Sequence, residues 1–324
     1  MNKFIAVFIV ASTFCVFLIS LCVGSDGLNF TDLYNFFDEG RNGRIMRQIR
    51  LPHSLGAMLC GGVLAISGAV MQSVLKNPLA SPYTLGISQA GAFGASFYII
   101  FLSHLNLAFL NIEITAFLSS MICIFAIIFL AKNLSISSIV LFGIGLGAFF
   151  GAATMFIQFF ANDNDVAATL FWTFGDISKA TFKNDFLLAI ALVLGVLIYS
   201  FGYWKFDGLG FGDEKALSLG INVKYFRLFS LLSATLLSTL CVCYFGIIGF
   251  VGLVAPHIIK FIFGYSHKKL FFLSAFCGAS LLGIADIFSR LIVPPTIIPV
   301  GILMAFIGVP MLLFLLAKKG GEYA

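Results

Sequence analysis

Three groups of residues could do chemistry in this sequence, and the chemistry is recognition. Arg41, Arg44, Arg47 and Arg50 crowd one short stretch, which would suit an acidic partner. Gly212, Asp213, Glu214, Lys215, Ala216, Leu217, Ser218, Leu219 and Gly220 follow two further glycines, and Gly208, Gly210 and Gly212 should each break the chain. Acidic residues favour the positive end of a helix, and a glycine ends one, so this segment predicts a short capped helix. A Leu-Gly pair exposed at its end would fit a groove on another protein. The third group is late in the chain, where Asp286 precedes Arg290 by four residues, a spacing that allows pairing on a helix.

Bond-making sets are missing from the sequence. It contains no GxxxxGK[ST], HExxH or GxSxG. His53, His104, His257 and His267 do not pair at metal spacing, and a lone histidine at a membrane edge reads as structural. The seven cysteines all sit inside apolar runs without a CxxC, so they read as small buried residues. No catalytic residue, metal ligand or bound cofactor is expected in this chain.

The elements that must position these groups are set by composition. Of 324 residues, 60% are hydrophobic and 10% are charged, far below the roughly 25% charged of a soluble domain. That excludes a soluble enzyme and a nucleic-acid binder. At about 20 apolar residues per membrane span, the chain has room for roughly ten spans. Apolar runs fall at 4–23, 54–75, 85–104, 113–131, 139–160, 185–203, 228–248, 250–264, 270–289 and 300–317. The run at 250–264 is short enough to be a half-span. The first run exceeds a signal-peptide core and reads as a retained span. In lipid, backbone groups must bond internally, so the runs are helices. The fold class expected is all-α and polytopic, one transmembrane domain over residues 1–324, with an outer loop at 24–52 and an inner loop at 204–227.

Ten spans put both termini on one side. With that side cytoplasmic, the inner segments hold 12 basic and 4 acidic residues, and the outer segments 7 and 9. This satisfies the positive-inside rule. The residues 161–183 predict an outer interfacial helix with Trp172 as its aromatic anchor. Asp286 is the one charge placed well inside a span. That poverty of buried charge argues against an ion-coupled carrier, and the missing catalytic sets argue against a membrane enzyme.

The segment IRLPHSLGAMLCGGVLAISGAVMQSVLKNPLASPYTLGISQAGAFGAS, residues 49–96, resembles the signature of the FecCD/BtuC family. GDEKALSLGI (212–221), GIIGFVGLVAPHIIK (246–260) and ADIFSRLIVPPTIIPVGILMAFIGVP (285–310) resemble three more of its segments, in order. These are permease subunits of ABC importers for iron–siderophore complexes, haem and cobalamin. The physics of the same segments is consistent: the glycines let helix backbones approach, and Asn77-Pro78 with Ser81-Pro82 force a non-helical inner turn.

The resemblance implies the rest. Arg50 and Arg290 match positions that receive acidic residues of a periplasmic substrate-binding protein, and Arg47 would support them. His53 stands where the family has a second arginine, and it is mostly uncharged at neutral pH. Gly212 to Gly220 match the coupling segment that meets the ATPase, with Asp213, Glu214, Lys215, Ala216 and Leu219 in contact. Ser135, Ile136, Ser137 and Ser138 match an inner gate. The implied partners are two copies of an ABC ATPase subunit, which bind the ATP, the binding protein, membrane lipid, and a second permease copy or a related permease. The implied location is the bacterial inner membrane, crossed many times, with an iron(III)-siderophore as cargo.

Overall fold

The computed structural model describes residues 2–24, 27–28, 34, 36–105, 109–130, 136–264 and 266–320. Fourteen α-helices carry the described chain. They are α1 (Asn2–Cys22), α2 (Arg41–Ile45), α3 (Leu51–Val74), α4 (Ile87–Phe97), α5 (Ile112–Leu130), α6 (Ile136–Phe159), α7 (Asp163–Thr173), α8 (Phe182–Phe201), α9 (Tyr203–Gly210), α10 (Asp213–Ser218), α11 (Val223–Phe245), α12 (Val251–Phe263), α13 (His267–Leu291) and α14 (Val300–Gly320). Strands β1 (Val23–Gly24) and β2 (Gly27–Leu28) form a small antiparallel pair after α1.

Each of the ten apolar runs is mostly helical among the described residues. Seven of the described helices are long and apolar enough to cross a membrane, and α12 is a 13-residue half-span. The chain is an all-α, multi-pass membrane protein. Phenylalanines 149, 156, 159, 306 and 314, on α6 and α14, face outward, as an apolar solvent permits.

Helix α3 is the central post. Nearly all its residues are buried, and it packs on α8, α11, α12 and α13. Small residues make those crossings close. A Cβ on Gly68 would overlap the Gly252 carbonyl of α12, and one on Gly61 would overlap the Gly278 carbonyl of α13. In a membrane such close packing supplies the association that water would otherwise drive.

Three expectations change. The outer segment is not a loop up to residue 52, because α2 and a π-helical turn at Met46–Arg50 run straight into α3, making one helical stretch from Arg41 to Val74. Gly208 and Gly210 do not break the chain; they lie inside α9, and Gly212, with φ +111°, makes the break. Trp172 does not anchor in lipid. It is buried beside the loop after α11, where a Cβ on Gly246 would overlap its carbonyl.

The turn around Asn77, Pro78 and Pro82 is non-helical, and the Asn77 side chain accepts the Leu79 N–H at 2.9 Å. It does not hang in the cytoplasm. Ala80, Ser81, Pro82 and Leu85 are buried, and the Tyr83 ring packs on Phe250, with ring centres 5.6 Å apart. The turn therefore folds back into the protein to meet the loop that precedes the half-span α12.

Candidate functional site

The inner segment folds as its spacing predicts. Asp213 and Glu214 open α10, and Gly220, with φ +79°, closes it. The Ile221 N–H donates to the Ala216 carbonyl at 3.0 Å and the Gly220 N–H to the Leu217 carbonyl at 2.9 Å. That is the paired bonding of a Schellman end, which needs a left-handed residue. Ala216 is buried with Leu209, Ile221 and Val223, so α9, α10 and the start of α11 share a small apolar core. Leu217 and Leu219 are 60% and 58% exposed, Leu219 with one methyl over Gly208 of α9, and Glu214, Lys215 and Phe211 are exposed beside them.

Asp213 ties this surface to the spans. Its Oδ1 accepts from Arg227 of α11 at 2.8 Å and from Lys76, just after α3, at 3.2 Å. Partial burial alone would raise its carboxyl pKa. The hydrogen bonds and charges of Arg227 and Lys76 outweigh that and hold it below the usual carboxylate value.

At the opposite end the arginines divide. Arg41 and Arg44 are exposed. Arg47 donates to the carbonyls of Phe36, at 2.5 Å, and Asp38, at 3.0 Å. Arg50 is half-buried over Gly24 and donates to the Leu21 carbonyl at 3.4 Å. Arg290 is not at the outer surface. It is 6% exposed, and its donors are used inside: Asp286 Oδ2 and Ser20 Oγ at 2.7 Å, and the Val23 and Ser20 carbonyls at 2.8 and 3.1 Å. The i,i+4 pairing of Asp286 with Arg290 follows the sequence. Their joint burial does not.

His53 completes this buried cluster. Its Nε2 lies 2.6 Å from Asp286 Oδ1, and Ser20 donates to Ser54 beside it at 2.7 Å. Asp185, which opens the apolar run at 185–203, is buried in the first turn of α8 against Gly56, and neither carboxylate oxygen has a hydrogen-bond partner among the described residues. Only its position at a span's start could have signalled this. Nearby, Lys179 lies 6.0 Å from the centre of the Trp172 ring; burial lowers its pKa, and Asp176 offsets part of that.

Of the inner gate, Ser135 lies outside the described residues; Ile136, Ser137 and Ser138 begin α6. No group of three metal-ligating side chains occurs among the described residues. A cleft of about 730 Å³ is walled largely by apolar side chains of α14 and the loops before α12 and after α7. Tyr83, Gln89, Phe174, Phe250 and Phe306 line it.

A family model described as the FecCD transport family matches residues 12–318. An Fe(3+)-citrate import system permease protein of Bacillus subtilis is 38% identical over 276 residues, covering 84% of this chain and 81% of its own. A hemin transport system permease protein of Yersinia pestis is 33% identical over 303 residues, covering 92% and 90%. Among solved structures, a metal-chelate type ABC transporter in an inward-facing conformation superposes with a TM-score of 0.85 at 24% identity, covering 98% of this chain and 100% of that one.

Proposed function

The chain belongs to the FecCD transport family of ABC importer permeases, and on that footing we propose that it carries an iron(III)-siderophore complex across the bacterial inner membrane. The energy comes from two copies of a separate ATPase subunit, which bind the ATP. A periplasmic binding protein delivers the cargo, and the pore forms against a second permease copy or a related permease. The observation that carries this reading is α10: a capped helix whose two leucines face outward while its first carboxylate grips α11 and the end of α3. An apolar edge wired to two spans suits a partner that pushes.

The mechanism follows from differential contact. The ATPase engages Leu217, Leu219 and the charged residues Glu214 and Lys215, and its closure displaces α10. Asp213 passes that displacement to α11 and α3. A ligand or partner shifts a conformational equilibrium only by what it contacts differently in the two states, and α10 is where the two meet. At the outer end Arg50 and Arg47, with exposed Arg41 and Arg44, greet the acidic surface of the binding protein. Arg290 and His53 serve that face indirectly, by fastening the helices beneath it. The gate opens at the start of α6, around Ile136 to Ser138. The apolar cleft is this chain's share of the pathway, where few polar groups hold the cargo in passage.

A ferric chelate is favoured as cargo by the Bacillus subtilis relative, whose name gives iron citrate. Haem is the second reading, on the Yersinia pestis relative; cobalamin transport also belongs to the resemblance. Reconstitution in proteoliposomes tests the proposal. Uptake of a ferric siderophore should require the ATPase, ATP and the binding protein together. ATP-independent uptake by this chain alone overturns it.

A further inference from the structure

Helix α13 is held at both ends by a histidine–aspartate pair. At its inner end, Asp207 of α9 takes the place of the helix's own cap: Ser266 makes no side-chain cap, and the His267 N–H donates instead to Asp207 Oδ1 at 3.4 Å. The same oxygen lies 2.6 Å from His267 Nδ1. A carboxylate is stabilised at a helix N-terminus by the backbone dipoles, so α9 grips α13 at the point where it grips best. Two neighbouring contacts repeat the join. Phe206 of α9 packs on Phe271 with ring centres 4.7 Å apart, and Lys268 Nζ stands 5.8 Å from the Tyr203 ring.

The grip leads straight to the ATPase-facing surface. Leu209 of α9 is buried with Ala216 of α10, and Phe206 also meets Phe226 of α11 edge to face, with ring centres 4.8 Å apart. So α9 and α10 are packed together as one body. Toward its far end, about 28 and 34 Å from His267 by helical rise, α13 carries Asp286 and Arg290, which bind His53 of α3 and the end of α1. Packed side chains with such joins at both ends are the physical means by which coupling travels.

We propose that the Asp207–His267 pair couples α10 to α13, so that α13 carries the ATPase's displacement to the outer cluster of Asp286, Arg290 and His53. His267 is a positioning residue, acting through Asp207. The inference rests on the importer reading and adds a third route to the two that Asp213 supplies.

The test uses the complete importer in proteoliposomes, with ferric citrate, hemin and cyanocobalamin as the probes. The readout is cargo imported per ATP hydrolysed, since a merely structural defect lowers assembly rather than this ratio. His267→Phe keeps the ring in its aromatic surroundings and removes the bond; Asp207→Ala removes the carboxylate. Each should lower the ratio by at least about fivefold, with ATP hydrolysis within about twofold of native. The double variant should be no worse than either single one, and Asp207→Glu should recover most of the ratio. Should Asp207→Ala not assemble, Asp207→Asn, close in size, gives the same reading with a smaller loss. An unchanged ratio in the single variants, or losses that multiply in the double variant, overturns the coupling role alone. Absence of ATP-driven uptake of any of the three probes by the native complex overturns the importer reading, and the coupling role with it.

Discussion

His53 and Asp286 meet across 233 residues of sequence, with His53 Nε2 2.6 Å from Asp286 Oδ1. The other oxygen of the same carboxylate holds Arg290, which reaches on to Ser20 and Val23 at the end of α1. One buried carboxylate thus fastens α3 and α13, and through Arg290 it fastens α1.

Removing that carboxylate should cost far more than its exposure suggests. Asp286→Ala leaves the guanidinium of Arg290 buried and unpaired, a loss on the order of 3–5 kcal/mol. Thermal unfolding in detergent should show a large fall. Replacing the pair together, Asp286→Leu with Arg290→Met, should recover part of it, because neither charge of the pair is left buried alone, while His53 and the Ser20 and Val23 carbonyls still lose their partners. A double variant as unstable as the single one would count against this account.

That cluster also marks where the sequence stopped being legible. Spacing placed Asp286 beside Arg290, since i and i+4 share a helix face. It could not place His53 and Ser20 against them, because three helices must first pack. The same limit hid Asp185, which looked like an outer-edge charge until α8 laid it against Gly56. By contrast α10 was readable in full: its acids, its leucines and Gly220 all act within about two turns of one another. Trp172 misled because an aromatic near a membrane edge fits either lipid or a buried seam. The ten apolar runs were readable because lipid leaves the backbone no alternative to a helix.

Two glycine substitutions should separate close packing from plain helix propensity. At Gly68, a Cβ overlaps the backbone carbonyl of Gly252, and backbone cannot give way as a side chain can. Gly68→Ala should cost at least about 3 kcal/mol and reduce the folded yield. At Gly210 nothing lies within 4 Å of the added methyl. Gly210→Ala should leave stability unchanged or raise it by about 0.5–1 kcal/mol. Size-exclusion profiles and melting curves of the two variants decide it; equal behaviour would refute the crossing argument.

The ties of Asp213 should be insensitive to pH in the physiological range. Its pKa is lowered in the folded protein, so the stabilisation is complete above its ordinary value. It is lost only as pH falls through the still lower folded value. Hydrogen exchange over residues 213–220, corrected for intrinsic rates, should therefore be flat between about pH 5 and 8. Asp213→Asn should raise exchange there at pH 7. A rise in the native chain as pH drops from 8 to 5 would mean that another group controls the segment.

Leu219→Asp should separate folding from coupling. The side chain is 58% exposed and lies outside the buried core of Leu209, Ala216, Ile221 and Val223, with one methyl at the core's edge over Gly208 of α9. Its backbone caps α10 through φ and ψ values that aspartate can adopt, and Gly220, which carries the left-handed turn, is untouched. Detergent stability should stay within about 0.5 kcal/mol of native. The partner would meet a charge where it needs an apolar edge, and a desolvated carboxylate without a partner is costly. ATP-driven uptake should fall by at least about tenfold, while the ATPase keeps its basal hydrolysis. Leu217→Asp should do the same, and Ser218→Asp, whose hydroxyl already bonds the Lys215 carbonyl within α10, should do less. Coupled transport that survives both leucine substitutions would move the ATPase contact away from this edge of α10.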